Sequence, residues 1–247
     1  MNLIAHRWRR CLLGTNEDVY RLRTIKLTTP ILESLPVDEI DRDLKRTFPL
    51  DDFFTKHIDE IRNVLLWYAW TNPSVGYCQC FSFIAFIMFK VFYENDPRHA
   101  MIDTYYALHK IILLIKPLIP KHAKDSRPLG FVKTLRSSIL LDIMSCDRSL
   151  YHRLKNTEII NYMILSGVSS LYLNWFTSKE SIVLLDYIIT DKASTMFRRI
   201  MNFLVAYVLI QKSILLSFDD DRCLEILSSK SMMNFWAILW KARELNL

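Results

Sequence analysis

Ile40-Asp41-Arg42-Asp43-Leu44-Lys45-Arg46-Thr47-Phe48-Pro49 is the stretch around which this chain reads. Val37, Ile40 and Leu44 recur at helical spacing, so the stretch predicts a short helix with one apolar face. Pro36 stands ahead of it and Pro49 ends it, because the residue before a proline is pushed out of the helical region. Asp43 and Arg46 are three apart, close enough for a carboxylate to hold a guanidinium in one orientation. Taken alone, these residues describe a solvated surface helix with a weak ion pair. A second stretch changes that reading: Asn72-Pro73-Ser74-Val75-Gly76-Tyr77-Cys78-Gln79-Cys80.

The surrounding chain is helical in character. It has 247 residues, 51% hydrophobic and 23% charged, enough for one large domain or two lobes with buried cores. Four glycines and eight prolines are too few for the hairpins of an all-β protein, so an all-α fold is expected. All prolines lie at or before Pro128. The polar, basic segment 121–130 divides an N-terminal lobe, 1–120, from a C-terminal stack of helices, 131–247. Asp51 or Asp52 is expected to cap a helix running to about Trp70, and Asn72-Pro73-Ser74 to form a turn. An apolar helix from Tyr77 to about Tyr93 follows, and a helix across Val19–Leu27 is a further expectation.

Several chemistries are excluded. No Gly-x-x-x-x-Gly-Lys or Gly-x-Gly-x-x-Gly loop offers a phosphate cradle, and no His-Glu-x-x-His occurs. Cys78-x-Cys80 has the wrong spacing for zinc and lacks a second pair, so no metal is expected. Asp219-Asp220-Asp221 reads as a helix-capping turn. The longest charge-free run, Asn63 to Phe89, is broken by Asn72-Pro73-Ser74 and Gly76, leaving pieces too short to span a bilayer. Five cysteines, an odd number, with no apolar signal core among the first ten residues, point to a reducing cytoplasmic compartment. The net charge of +6 suggests acidic partners or an anionic membrane surface, while the scattered basic residues carry no nucleic-acid motif.

Together, Ile40-x-x-Asp43-x-x-Arg46-Thr47-Phe48-Pro49 and Asn72-Pro73-x-x-Gly76-Tyr77-x-Gln79 resemble the paired signature of TBC-domain GTPase-activating proteins for Rab GTPases. His6-Arg7-Trp8 leading to Leu12-Leu13-Gly14 resembles the opening of that domain, and Trp175 and Leu185-Asp186 resemble its later blocks in shortened form. The resemblance implies a two-lobed, all-α TBC domain across 1–247. It implies an activator that works on a partner's active site, not a self-contained hydrolase. The partner would be a Rab-family GTPase in its GTP-bound state, which brings the GTP and magnesium; the activator has no cofactor of its own. By the same resemblance Arg46 is the arginine finger and Gln79 the glutamine that orients the attacking water. A guanidinium suits the charge that spreads over a transferring phosphoryl group, and a carboxamide can both donate to and accept from one water. Asp43 would hold Arg46 in position, with Thr47 and Tyr77 in support, while Asn72, Pro73 and Gly76 shape the turn that presents Gln79. The implied setting is vesicle trafficking, in the cytoplasm or peripherally on endomembranes.

The sequence departs from the family at Cys80, where a glycine is usual. If that position needs a positive φ, cysteine strains the loop; if it lies in the first helical turn, only its thiol can obstruct a partner. The strongly helical run from Phe81 onward favours the second reading. Two other functions compete: a TBC-like scaffold that binds a GTPase without accelerating hydrolysis, and a helical membrane-surface protein using Arg7, Arg9 and Arg10 around Trp8. Dependence of liposome binding on those arginines would mark the latter.

Overall fold

The computed structural model describes residues 3–15, 35–118, 128–189, 192–229 and 233–245, and no strand occurs among them. The helices are α1 Leu3–Trp8, α2 Val37–Leu44, α3 Asp52–Lys56, α4 Ile58–Thr71, α5 Cys80–Asn95, α6 Ala100–Ile115 and α7 Pro128–Cys146. They continue with α8 Arg148–Leu154, α9 Ile159–Gly167, α10 Ser178–Ile188, α11 Ala193–Ile210, α12 Lys212–Ser217, α13 Asp220–Ser228 and α14 Phe235–Glu244. The expected helix at 19–27 lies outside the described residues.

The chain forms two compact units: Met1–Ile119 with Thr177–Asp191, and Pro120–Phe176 with Lys192–Leu247. The segment carrying α10, placed by the sequence reading in the C-terminal lobe, thus packs within the first unit. The core of that unit is α5, twelve of whose sixteen residues are buried, packed against α6 and α4. Such an all-round apolar helix is stable only inside a core. Trp8 is fully buried; its indole N–H donates to Asp186 on α10 at 3.0 Å, and Arg7 Nε donates to the same carboxylate at 2.9 Å. This ties the opening Trp block to the Leu185-Asp186 block. Arg9 is buried and paired with Asp103 on α6 at 2.8 Å. Two of the three arginines around Trp8 are therefore engaged inside the unit. In the second unit α11 packs on α14, and α7 on α8 and α9. Gly167 there lies under Trp175 and Tyr172, where an added Cβ would meet both rings at 2.5 Å.

Caps and breaks refine the expected boundaries. Asp51 caps α3, accepting from the Phe54 N–H at 3.1 Å, and also takes Lys90 at 2.8 Å and the Ser178 hydroxyl. Asp219 caps α13, accepting from the Arg222 N–H at 2.9 Å, as the acidic turn predicts. The helix expected to run on to Trp70 is instead two helices, because His57 leaves helical geometry (φ −116°, ψ 20°). Its ring packs at a tilt against Phe53 and Tyr93, with centroids 4.4 and 4.3 Å away. The apolar helix starts at Cys80, three residues later than Tyr77.

Candidate functional site

The helix that opens the first signature ends at Leu44, not at Pro49, so Arg46 stands in the tightened turn beyond it. That turn is closed by i→i+3 bonds, Arg46 N–H to Asp43 O at 3.2 Å and Thr47 N–H to Leu44 O at 3.1 Å. Phe48 then adopts a positive φ of 44°. A left-handed phenylalanine costs about 1–2 kcal/mol. Its ring packs on α5 against Phe86 and Phe83, with centroids at 4.9 and 5.5 Å, which offsets that cost and pins the turn to the helix.

Asp43 lies at the centre of the site, only 2% exposed. Its Oδ1 accepts from the Arg46 guanidinium, and its Oδ2 accepts from the Tyr77 hydroxyl at 3.0 Å. Burial, and then the neighbouring Asp43 carboxylate, push the Tyr77 hydroxyl far above its ordinary pKa, so it remains a donor. The Arg46 side chain is 57% exposed. A buried carboxylate thus grips the inner end of a guanidinium that otherwise faces solvent.

The second signature is shaped as its residues require. Asn72 closes α4: its N–H and its side-chain Nδ2 both donate to Tyr68 O, at 3.0 and 3.1 Å. The turn after it, through the exposed Pro73, is closed by Gly76 N–H to Asn72 O at 2.8 Å. Gly76 has φ 67°, a conformation that glycine adopts without the Cβ penalty. Gln79 is exposed at the start of α5, and its side chain makes no capping bond to the helix. Cys80 is buried in the first helical turn and is not among the positive-φ residues, so the thiol neither strains the loop nor projects outward.

Two hydroxyls join the signatures. Thr47 Oγ1 donates to Asp43 O at 2.8 Å and lies 2.7 Å from Ser82 Oγ, which is 2.9 Å from Gln79 O. Each hydroxyl has one proton. Two protons serve three contacts, so one contact is always the weaker. The structure brings Asp43, Arg46, Thr47, Tyr77 and Gln79 together around the start of α5, with Asn72, Pro73 and Gly76 forming the preceding turn. Ser82 was missed from sequence; its signal was a lone hydroxyl inside an apolar helix, one turn after Gln79. Among the described residues no His, Cys, Asp or Glu cluster is arranged to hold a metal, and no helix is long and apolar enough to cross a membrane.

The first unit of this all-α fold thus presents an exposed arginine on a buried carboxylate and an exposed glutamine at the start of α5. A family model, Rab-GTPase-TBC domain, matches residues 7–216, and the chain belongs to that family. The chain is 35% identical over 83 residues to TBC1 domain family member 2A of Homo sapiens, covering 32% of this chain and 8% of that protein. It is 40% identical over 72 residues to a putative GTPase-activating protein of Emericella nidulans, covering 26% of this chain and 6% of that one. These matches span less than a tenth of each relative's length. The fold is similar to the crystal structure of the Ypt/Rab-GAP domain of Gyp1p: TM-score 0.69, 14% identity, covering 98% of this chain and 88% of that one.

Proposed function

We propose that this domain accelerates GTP hydrolysis by a Rab-family GTPase, inserting Arg46 and Gln79 into the partner's active site. The observation that carries the reading is the asymmetry of the Asp43–Arg46 pair: a buried carboxylate anchors a guanidinium whose outer face is free to meet phosphate. Arg46 would stabilise the charge on the transferring phosphoryl group, and Gln79 would orient the attacking water. The partner contributes the nucleotide and magnesium, in keeping with the absence of a phosphate-binding loop from this sequence. Membership in the Rab-GTPase-TBC family supports the choice of partner.

Single-turnover GTP hydrolysis across a panel of Rab proteins tests this. At least one Rab should respond. Arg46→Ala and Arg46→Lys should each remove about 10³-fold or more of the stimulation, and Gln79→Ala most of it. Arginine variants as active as wild type on a responsive Rab would overturn the finger assignment. Binding of GTP-loaded Rab without acceleration would establish the scaffold reading instead.

A further inference from the structure

Cys78 and Cys80 flank Gln79 on either side in sequence, and neither belongs to the machinery described above. Both are free thiols. They are also directed at each other: the Cys80 S–H donates to Cys78 Sγ at 3.3 Å. Cys78 is partly exposed, while Cys80 is buried. We propose that this pair is a peroxide-responsive dithiol that closes to a disulfide around Gln79 and withdraws the glutamine from use. The inference about Gln79 rests on the function proposed above; the chemistry of the pair does not.

The arrangement divides the labour in the way such chemistry needs. The outer sulfur must be reachable and present as thiolate; the inner one must wait within reach. Chiefly through the hydrogen bond from Cys80, the Cys78 thiol is brought down to about 7. The same contact and burial push Cys80 well up, so it stays protonated until called upon. The bond donated by the Cys80 S–H thus favours the thiolate, the nucleophilic form, at Cys78 rather than at Cys80. The Cys78 thiolate attacks one oxygen of hydrogen peroxide, the O–O bond breaks, and hydroxide leaves, giving a sulfenic acid. Cys80 Sγ then attacks that sulfur, forming the S–S bond and expelling the sulfenic oxygen as water with the Cys80 proton. Overall, two thiols and one peroxide give one disulfide and two waters. Two electrons pass to the peroxide.

Forming the bond requires the sulfurs to close from 3.3 Å to about 2.05 Å. Only one residue separates the cysteines, so the whole backbone of Gln79 is enclosed in a small ring. Gln79 now has helical geometry (φ −47°, ψ −38°) and its carbonyl faces the Ser82 hydroxyl. Ring closure shifts that backbone and re-aims the carboxamide. A small strained ring is also readily reduced, so the change is reversible by a thiol reductant. The family's usual glycine at position 80 would carry no such partner sulfur.

The test treats the full chain with hydrogen peroxide and maps its disulfides by peptide mass spectrometry, with Rab-stimulated GTP hydrolysis measured on the same samples. The expected result is an intrachain Cys78–Cys80 disulfide, a fall of about tenfold or more in stimulated rate, and recovery of both on adding dithiothreitol. Cys78→Ser should keep its rate through peroxide treatment. The mapping needs no Rab, so the disulfide is judged on it even if no Rab responds to the reduced protein. Cys78 remaining a thiol, stopping at an unpaired oxidised sulfur, or pairing elsewhere overturns the proposal. So does a Cys78–Cys80 disulfide that leaves the rate on a responsive Rab unchanged.

Discussion

Replacing Asp43 with asparagine separates aiming from folding. The side chain keeps its shape and can still accept from the Tyr77 hydroxyl, but its amide then presents a donor to the Arg46 guanidinium. The stability cost is modest on two grounds. Arg46 is 57% exposed, so its ion pair is screened and contributes about 0–1 kcal/mol. The Tyr77 bond changes from a charged to a neutral acceptor, a loss of about 1 kcal/mol, partly offset because a buried charge no longer has to be desolvated. At about 2–4 °C per kcal/mol for a chain of this length, the unfolding midpoint should therefore fall by less than about 8 °C. The rate responds differently. A freed arginine must be immobilised again in the transition state, at about 0.5–1.5 kcal/mol. That corresponds to about a 2- to 12-fold loss in single-turnover hydrolysis at saturating activator, with affinity for the GTP-loaded Rab unchanged. Full rate in Asp43→Asn, on a Rab for which Arg46→Ala is inactive, would refute the aiming role. A loss as deep as that of Arg46→Ala would refute it from the other side, since Asp43 would then act on the reaction itself.

Two predictions concern stability. Gly167→Ala should destabilise the protein by about 1–3 kcal/mol, read as a lowered unfolding midpoint, because the new methyl would meet two buried rings at 2.5 Å; an unchanged midpoint would mean that Trp175 and Tyr172 can move aside. At Asp51, burial raises the pKa, but Lys90, Ser178 and the Phe54 N–H outweigh it, and the net shift is downward. A depressed folded pKa contributes stability that is complete above the unfolded value, about 3.9, and is lost as pH falls through the lower folded value. The gap in unfolding midpoint between wild type and Asp51→Asn should therefore be largest near neutrality and close below about pH 4; a gap constant down to pH 3 would refute the linkage.

Much of this architecture is legible in the sequence because its signals are local. Low glycine content, helical periodicity, the aspartates at 51 and 219 and the glycine at 76 each act through neighbouring backbone. The break at His57 has no such mark: it is neither glycine nor proline, and its ring packs against Phe53 and against Tyr93 on α5, which a one-dimensional reading does not bring near it. The same limit applies at the site. The Asp43–Arg46 spacing could be read, and so could the turn at Asn72-Pro73. That Tyr77 reaches the other oxygen of Asp43, and that Ser82 bridges to Thr47, depends on α2 and α5 meeting in the core. The position of Arg46 beyond the helix end was missed for a related reason: Pro49 marks where a helix must stop, not where it does.

The two exposed side chains are held by different means, and this decides what can disturb each. Arg46 is aimed by its own guanidinium on a buried carboxylate, a side-chain bond that leaves its backbone in an ordinary turn. Gln79 has no such grip; its direction comes from its backbone, set by the glycine turn before it, the helix after it and the Ser82 hydroxyl at its carbonyl. Chemistry that moves backbone, such as a bond between the flanking sulfurs, therefore acts on Gln79 directly and reaches the Asp43–Arg46 pair only indirectly, through Tyr77 and the Thr47–Ser82 contact. Loss of charge at Asp43 does the reverse. The Thr47–Ser82 contact is a weak route between them, since two protons cannot fully serve its three contacts. A buried charge at Asp43 is a poor way to gain stability, as an apolar pair of the same size would cost less to bury. Its place at the meeting point of Arg46 and Tyr77 makes physical sense if orientation of the guanidinium is what it supplies.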